Sequence, residues 1–225
     1  MLIFNALTGN YENGSGTMET VERLLAEKYG SAFRATHIGN RYNTGSATLF
    51  CRTENGQDIC FTAVYTPLDR LLTDDYPARI AAHALGRELT EAFQTKGISA
   101  VPHILLCGGH YDDVPPVDMT AQRYIEDSGT DLLHIRMAVG ASSDTSAIPG
   151  VLEEISRKYG NIRIIAAVFV IADEKLEECR SALSEVPRVN DRWFSRFSPA
   201  ADAGITVTDG SANKTAEQFA AALKG

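Results

Sequence analysis

The dipeptide Asn55-Gly56 constrains this chain more than any other feature. It stands between Ser46 to Thr53 and Asp58 to Tyr65, two runs rich in β-branched, aromatic and other apolar residues. Asn-Gly supplies the positive φ angles that a tight turn needs, so the spacing predicts a β-hairpin. An antiparallel hairpin in the N-terminal half excludes a fold built only from repeated strand-helix-strand units.

Elsewhere helical and strand patterns alternate. Leu2 to Leu7 and Phe33 to Ile38 read as strands, with a helix over Met18 to Tyr29 between them. The longest helical pattern, Tyr76 to Lys96, places Leu85, Leu89 and Phe93 on one side; Asp74 or Asp75 suits its cap and Pro77 its first turn. The apolar run Ile104 to Leu106 predicts a strand covered on both faces, with Pro102 at its beginning. Further strands are predicted over 131–139, 162–171 and 205–208, alternating with helices over 148–159, 173–186 and 216–223. This alternation predicts an α/β fold: a three-layer sandwich around a mixed, mainly parallel sheet that also carries the N-terminal β-hairpin. One domain over 1–225 is expected, with a lid or sub-boundary near 114–130, where Pro115-Pro116 interrupts both helix and strand.

Bulk charge narrows the partners. A formal net charge of -8 gives phosphate polymers no general cationic face, so neither nucleic acid nor an anionic membrane is expected as the main partner. No apolar stretch approaches the roughly 20 residues of a membrane span, and the start MLIFNALTGN lacks a cationic segment, so a cytoplasmic protein is expected. The four cysteines, Cys51, Cys60, Cys107 and Cys179, form no C-x-x-C pair. Cys51 and Cys60 either face each other across the hairpin or stand as free core thiols.

The stretch VPHILLCGGHYDD, Val101 to Asp113, gathers the most chemistry. Cys107 ends the strand, and Gly108-Gly109 lets the backbone turn sharply and approach a neighbour closely. His110 and Asp112 follow. Three functional roles fit: Cys107 as nucleophile with His110 as its base, His110 with Asp112 as general acid and base, or the same two as metal ligands. A core thiol beside an ordinary polar turn fits as well. His103 and Cys107 share a face but lie four residues apart, about 13 Å at strand rise, too far for one metal ion. In 131–139, Leu133, Ile135 and Met137 take one face while His134 and Arg136 share the other, which is either a solvated sheet face or a polar site.

Three Gly/Ser/Thr loops lead from a strand to a helix start, where free N–H groups and the helix dipole favour anions. They carry Asn10 in TGNYENGSGT, Ser143, Asp144 and Thr145 in GASSDTS, and Ser211 with Lys214 in DGSANKT. Local helix capping explains any of them singly. Parallel strands would bring them to one sheet edge, which makes a small anionic molecule the expected ligand. The expected function is a hydrolase or transferase acting on a small phosphorylated, nucleotide-like or carboxylated substrate at the C-terminal ends of the strands. Two alternatives stand beside it: a Cys107-dependent hydrolase, and a non-catalytic binding or assembly protein, conceivably a homo-oligomer, using the Arg/aromatic segment 188–197 with Arg188, Arg192, Trp193 and Arg196. Cofactor and metal are left open by the sequence.

Overall fold

The computed structural model describes residues 2–4, 11–41, 45–111, 113–116 and 119–223. The protein is a mixed α/β fold whose chain forms two compact units, Met1–Arg79 with Ser184–Pro187, and Ile80–Leu183 with Arg188–Gly225.

The first unit begins with β1 (Leu2–Phe4), paired antiparallel with β2 (Tyr11–Asn13), and α1 (Gly14–Tyr29). The second strand and the first turn of α1 thus occupy what the sequence presents as a Gly-rich loop. Asn10 lies outside the described residues. A four-stranded antiparallel sheet follows: β3 (Phe33–Arg41), β4 (Ser46–Thr53), β5 (Cys60–Thr66) and β6 (Leu71–Asp74), in that order. The hairpin is β4–β5. Its turn is longer than a two-residue loop: the Thr53 N–H donates to the Ile59 carbonyl at 3.2 Å, the Gln57 N–H donates to Asn55 Oδ1 at 3.2 Å, and Asp58 joins Gly56 at positive φ. Strict alternation buries Ala47, Leu49 and Cys51 of β4 with Phe61, Ala63 and Tyr65 of β5. Register pairs Cys51 with Phe61 and Cys60 with Arg52, so the two thiols point to opposite faces and both are free.

Val21 and Leu25 of α1 are fully buried. The rings of Tyr29, Phe33, Phe61 and Tyr76 pack with centroids 4.9 to 5.7 Å apart, mostly edge to face. Beside them the Asp74 carboxylate, with no exposed side-chain surface, accepts from the Tyr29 hydroxyl at 2.6 Å, Lys28 Nζ at 2.9 Å and the Tyr76 N–H at 3.1 Å. The last contact satisfies the first N–H of α2 (Tyr76–Thr95), where the sequence offers Asp74 or Asp75 as cap.

The second unit takes α2 from Ile80 and continues through β7 (Ala100–Cys107), α3 (Ala121–Ser128), β8 (Leu132–Gly140), α4 (Ile148–Lys158), β9 (Arg163–Ile171) and α5 (Leu176–Ser184). A 3₁₀ segment at Asp191–Phe197 leads into β10 (Ala201–Thr208), β11 (Ser211–Ala212) and α6 (Ala216–Ala222). The sheet order is β11-β10-β9-β8-β7, and β8–β9, joined through α4, is its single parallel pair. β7 runs antiparallel to β8, and β10 antiparallel to β9.

The expectation of one mainly parallel sheet is therefore corrected. There are two main sheets, one antiparallel throughout and one mixed. An apolar run such as Ile104 to Leu106 reads alike beside a parallel or an antiparallel neighbour. Direction is decided by where the connection returns, and the long segments after β7 and β9 come back to the sheet end they left.

One face of this sheet is the core. Leu133, Ile135 and Met137 of β8 and Ile164, Ala166 and Val168 of β9 pack with Leu85, Leu89 and Phe93 of α2, Leu152 of α4 and Phe219 of α6. Each such aliphatic side chain contributes roughly 1.5–3 kcal/mol on burial. Among the described residues no helix is long and apolar enough to cross a membrane.

Candidate functional site

Strand direction decides which of the sequence-predicted groups meet. Cys107 lies opposite Leu132, at the start of β8, whereas Ser143, Asp144 and Thr145 follow Gly140 at its end. At about 3.3 Å per residue these two groups are roughly 26 Å apart, at opposite ends of the sheet. Ser211 pairs with Thr208 beyond the C-terminal end of β10, on the same end as Cys107 but on the far edge, since β7 and β11 are the outer strands. The Ser143 and Ser211 loops thus lie at opposite ends of this sheet. Asp112, like Asn10, lies outside the described residues.

Local structure also engages these groups. Ser143 Oγ accepts from the Ser99 N–H at 3.0 Å, and Asp144 caps the short 3₁₀ turn Thr145–Ala147 by accepting from the Ser146 N–H at 3.0 Å. Ser142 donates its hydroxyl to Asp173 at 3.1 Å. Lys214 Nζ donates to the Gly204 carbonyl at 2.6 Å, and Thr215 begins α6 with a reciprocal capping box to Gln218. Gly108 and Gly109 do permit a close approach, but the neighbour is the chain itself. A Cβ on Gly108 would lie 2.0 Å from Asp131 Oδ1, and one on Gly109 would lie 2.4 Å from Thr130 Oγ1. His110 is exposed, and its N–H donates to the Ser128 carbonyl at 3.0 Å.

What the fold does assemble is the second face of the mixed sheet. Alternation turns His103, Leu105 and Cys107 of β7, His134 and Arg136 of β8, and Ile165, Ala167 and Phe169 of β9 away from the core. Register sets His103 directly beside Arg136 and Leu105 beside His134. His103 is buried; Leu105, Cys107, His134, Arg136, Ile165 and Ala167 are half-buried. The Arg136 side chain, 24% exposed, donates from Nε to Asp191 Oδ1 at 2.7 Å, which fixes the direction of its guanidinium. Asp191 begins the 3₁₀ segment whose Phe194 stacks on Phe169 at 4.4 Å with an interplanar angle of 7°.

The floor of this face dips where side chains are small. Arg136 neighbours Ala167, and Ala167 neighbours Gly204 of β10. The next row holds Ile165 and Thr206, and the row on the other side holds Phe169, under Phe194, with the exposed Asp202 of β10 beside it. By side-chain size this makes a shallow trough across β9 and β10, from Arg136 at one end to Gly204, whose carbonyl accepts from Lys214 Nζ, at the other. A Cβ added to Gly204 would meet only the Ala166 carbonyl, at 3.8 Å.

Burial raises the Cys107 thiol above its ordinary range; Arg188 and Arg136 pull it back and Asp131 pushes it up. A raised thiol is protonated at neutral pH, which is unlike an activated nucleophile. Among the described residues no group of three or more His, Cys, Asp and Glu is arranged to hold a metal ion.

In the Arg/aromatic segment, Phe194 and Phe197 are core residues, and Arg196 lies over the Trp193 ring at 4.8 Å. Its aromatic side chains thus serve packing first. Asp191 is the contributor that sequence reasoning did not single out, because nothing in RVNDRWF announces that it reaches a strand 55 residues away. His134 and Arg136, in contrast, are marked by the alternation of Leu133, Ile135 and Met137.

No protein-family model and no curated protein sequence matches this chain. In fold it is similar to a DUF5037 family protein from Ruminococcus gnavus, known from a crystal structure, with a TM-score of 0.66 over 93% of this chain and 99% of that one. At 17% identity the likeness is one of fold.

Proposed function

We propose that this protein binds a small anionic molecule on the second face of its mixed sheet, with Arg136 as the principal contact. The carrying observation is a half-buried guanidinium, oriented by Asp191, in a chain of net charge -8. Asp191 compensates the guanidinium in part, and an anion at this half-buried group is screened less than on open surface. The His110 and Ser143 groups that the sequence marks for catalysis or anion binding are peripheral in this reading, whereas Lys214, whose Nζ donates to the Gly204 carbonyl at 2.6 Å, borders the same strip of sheet. It is a binding reading; a hydrolase or transferase step would need a reacting group beside Arg136, for which His134 is the nearest titratable candidate along β8.

The test is a thermal-shift titration with inorganic phosphate and a set of small carboxylates. A ligand at a hundredfold excess over its Kd stabilises the native state by about 2.7 kcal/mol. The expected result is a saturable rise in Tm that Arg136→Gln removes while leaving the unliganded Tm within a few degrees. Equal shifts in wild type and Arg136→Gln would reject the site.

A further inference from the structure

We infer that the ligand of this face is an aryl carboxylate, a carboxylate carried on a flat apolar ring. The inference rests on the binding reading above and adds the class of molecule. Its basis is the shape and composition of the trough beside Arg136. Ala167 and Gly204 are side-chain-poor neighbours on adjacent strands, one half-buried and one exposed, so the backbone of the sheet forms a flat floor. Ile165 bounds the floor on one side and the Phe169–Phe194 stack on the other. A planar ring laid over Ala167, between Ile165 and the Phe169–Phe194 stack, replaces water over apolar surface, which a phosphate or a sugar does not; Thr206 and Asp202 border the β10 half of the floor.

The charged end is equally selective. Asp191 engages Nε of Arg136, and a carboxylate matches the planar fork of its two terminal nitrogens. Ala167 directly adjoins Arg136 in the register, so a ring over Ala167 places its carboxylate within reach of the guanidinium. The His103 and His134 imidazoles flank the same end. A single negative charge suffices there, because Asp191 already neutralises part of the guanidinium.

The experiment measures binding of benzoate, acetate and inorganic phosphate to the full chain by calorimetry, supported by the fluorescence of Trp193, the single tryptophan, whose ring lies 5.0 Å from that of Phe194 in the trough wall. Benzoate should bind roughly tenfold or more tightly than acetate, from the ring area buried. Arg136→Gln should abolish both. Ala167→Leu fills the floor and should weaken benzoate by about tenfold or more while leaving acetate within about twofold. If Ala167→Leu does not fold, as judged by circular dichroism, Gly204→Val fills the same floor from the next strand. Phosphate or acetate binding as tightly as benzoate, still dependent on Arg136, would overturn the aryl carboxylate and leave the anion site standing. Binding that ignores Arg136, or none by any of the three probes, would overturn both.

Discussion

At the level of single residues the clearest commitment is Asp74. Its buried carboxylate collects a hydroxyl, an ammonium and a backbone N–H. Asp74→Ala leaves the Tyr29 hydroxyl and the Tyr76 N–H without this acceptor, at about 1–3 kcal/mol for each group left unsatisfied, while the 37% exposed Lys28 side chain turns to water. Tyr29→Phe deletes a single hydrogen bond and should cost about 1–2 kcal/mol. Urea unfolding of Asp74→Ala, Tyr29→Phe and the double variant checks this. The double variant should be less destabilised than the sum of the two, because both remove the same 2.6 Å contact. Strict additivity would mean that the hydroxyl and the carboxylate act independently. Of this network the sequence shows only that an acidic pair precedes Tyr76-Pro77 and suits a helix cap. The Tyr29 contact, 45 positions away, depends on tertiary packing.

At the level of elements, legibility followed periodicity. The β4–β5 hairpin, α2 and the alternating faces of β8 are all written in the sequence as turn chemistry or as a repeat of two or 3.6 residues. Strand direction has no such signature. The segments joining β7 to β8 and β9 to β10 are long enough for a crossover, and yet they return to the same end of the sheet. That one undetermined property separated the loops of Cys107 and Ser143 and moved the candidate site from the strand tips to the sheet face. β6 and the start of β10 were missed because LLTD and ADAG lack a run of β-formers; they are strands because a neighbour pairs with them. The 3₁₀ segment is the element that shapes the site, through Asp191 on Arg136 and Phe194 on Phe169. Phe194→Ala should cost about 3–5 kcal/mol by chemical denaturation and should also change the Trp193 emission. A loss below about 1 kcal/mol would show that the stack does not hold the segment to the sheet.

At the level of the whole molecule, ionisable groups buried in the neutral state make the fold sensitive to alkali. Burial pushes the Cys51 thiol from its ordinary 9.0 up to about 12, with nearby acidic groups adding to it, and those of Cys60 and Cys179 up to about 11 against the pull of neighbouring arginines. Each folded-state value is raised, so the native chain holds protons that the unfolded chain releases. The stabilisation is complete below about pH 9 and is lost as pH rises toward 11 and 12, at about 1.4 kcal/mol per pH unit for each thiol. The groups are unevenly distributed. The first unit holds Cys51 and Cys60 together with Tyr29 and Tyr76, whose phenols are also raised, chiefly by burial and, for Tyr29, by Asp74 as well. The second holds Cys179, Cys107 and Tyr159, all raised, and the single tryptophan. Between pH 9 and 11 the two thiols of the first unit alone should remove close to 3 kcal/mol of stability per pH unit, against about half that from Cys179. In moderate urea, circular dichroism, which reports both units, should therefore show unfolding at a lower pH than Trp193 emission, which reports the second. Cys60→Ala should move the circular dichroism transition upward in pH and leave the tryptophan transition in place. Coincident transitions, both shifted equally by Cys60→Ala, would show instead that the two units unfold as one cooperative body.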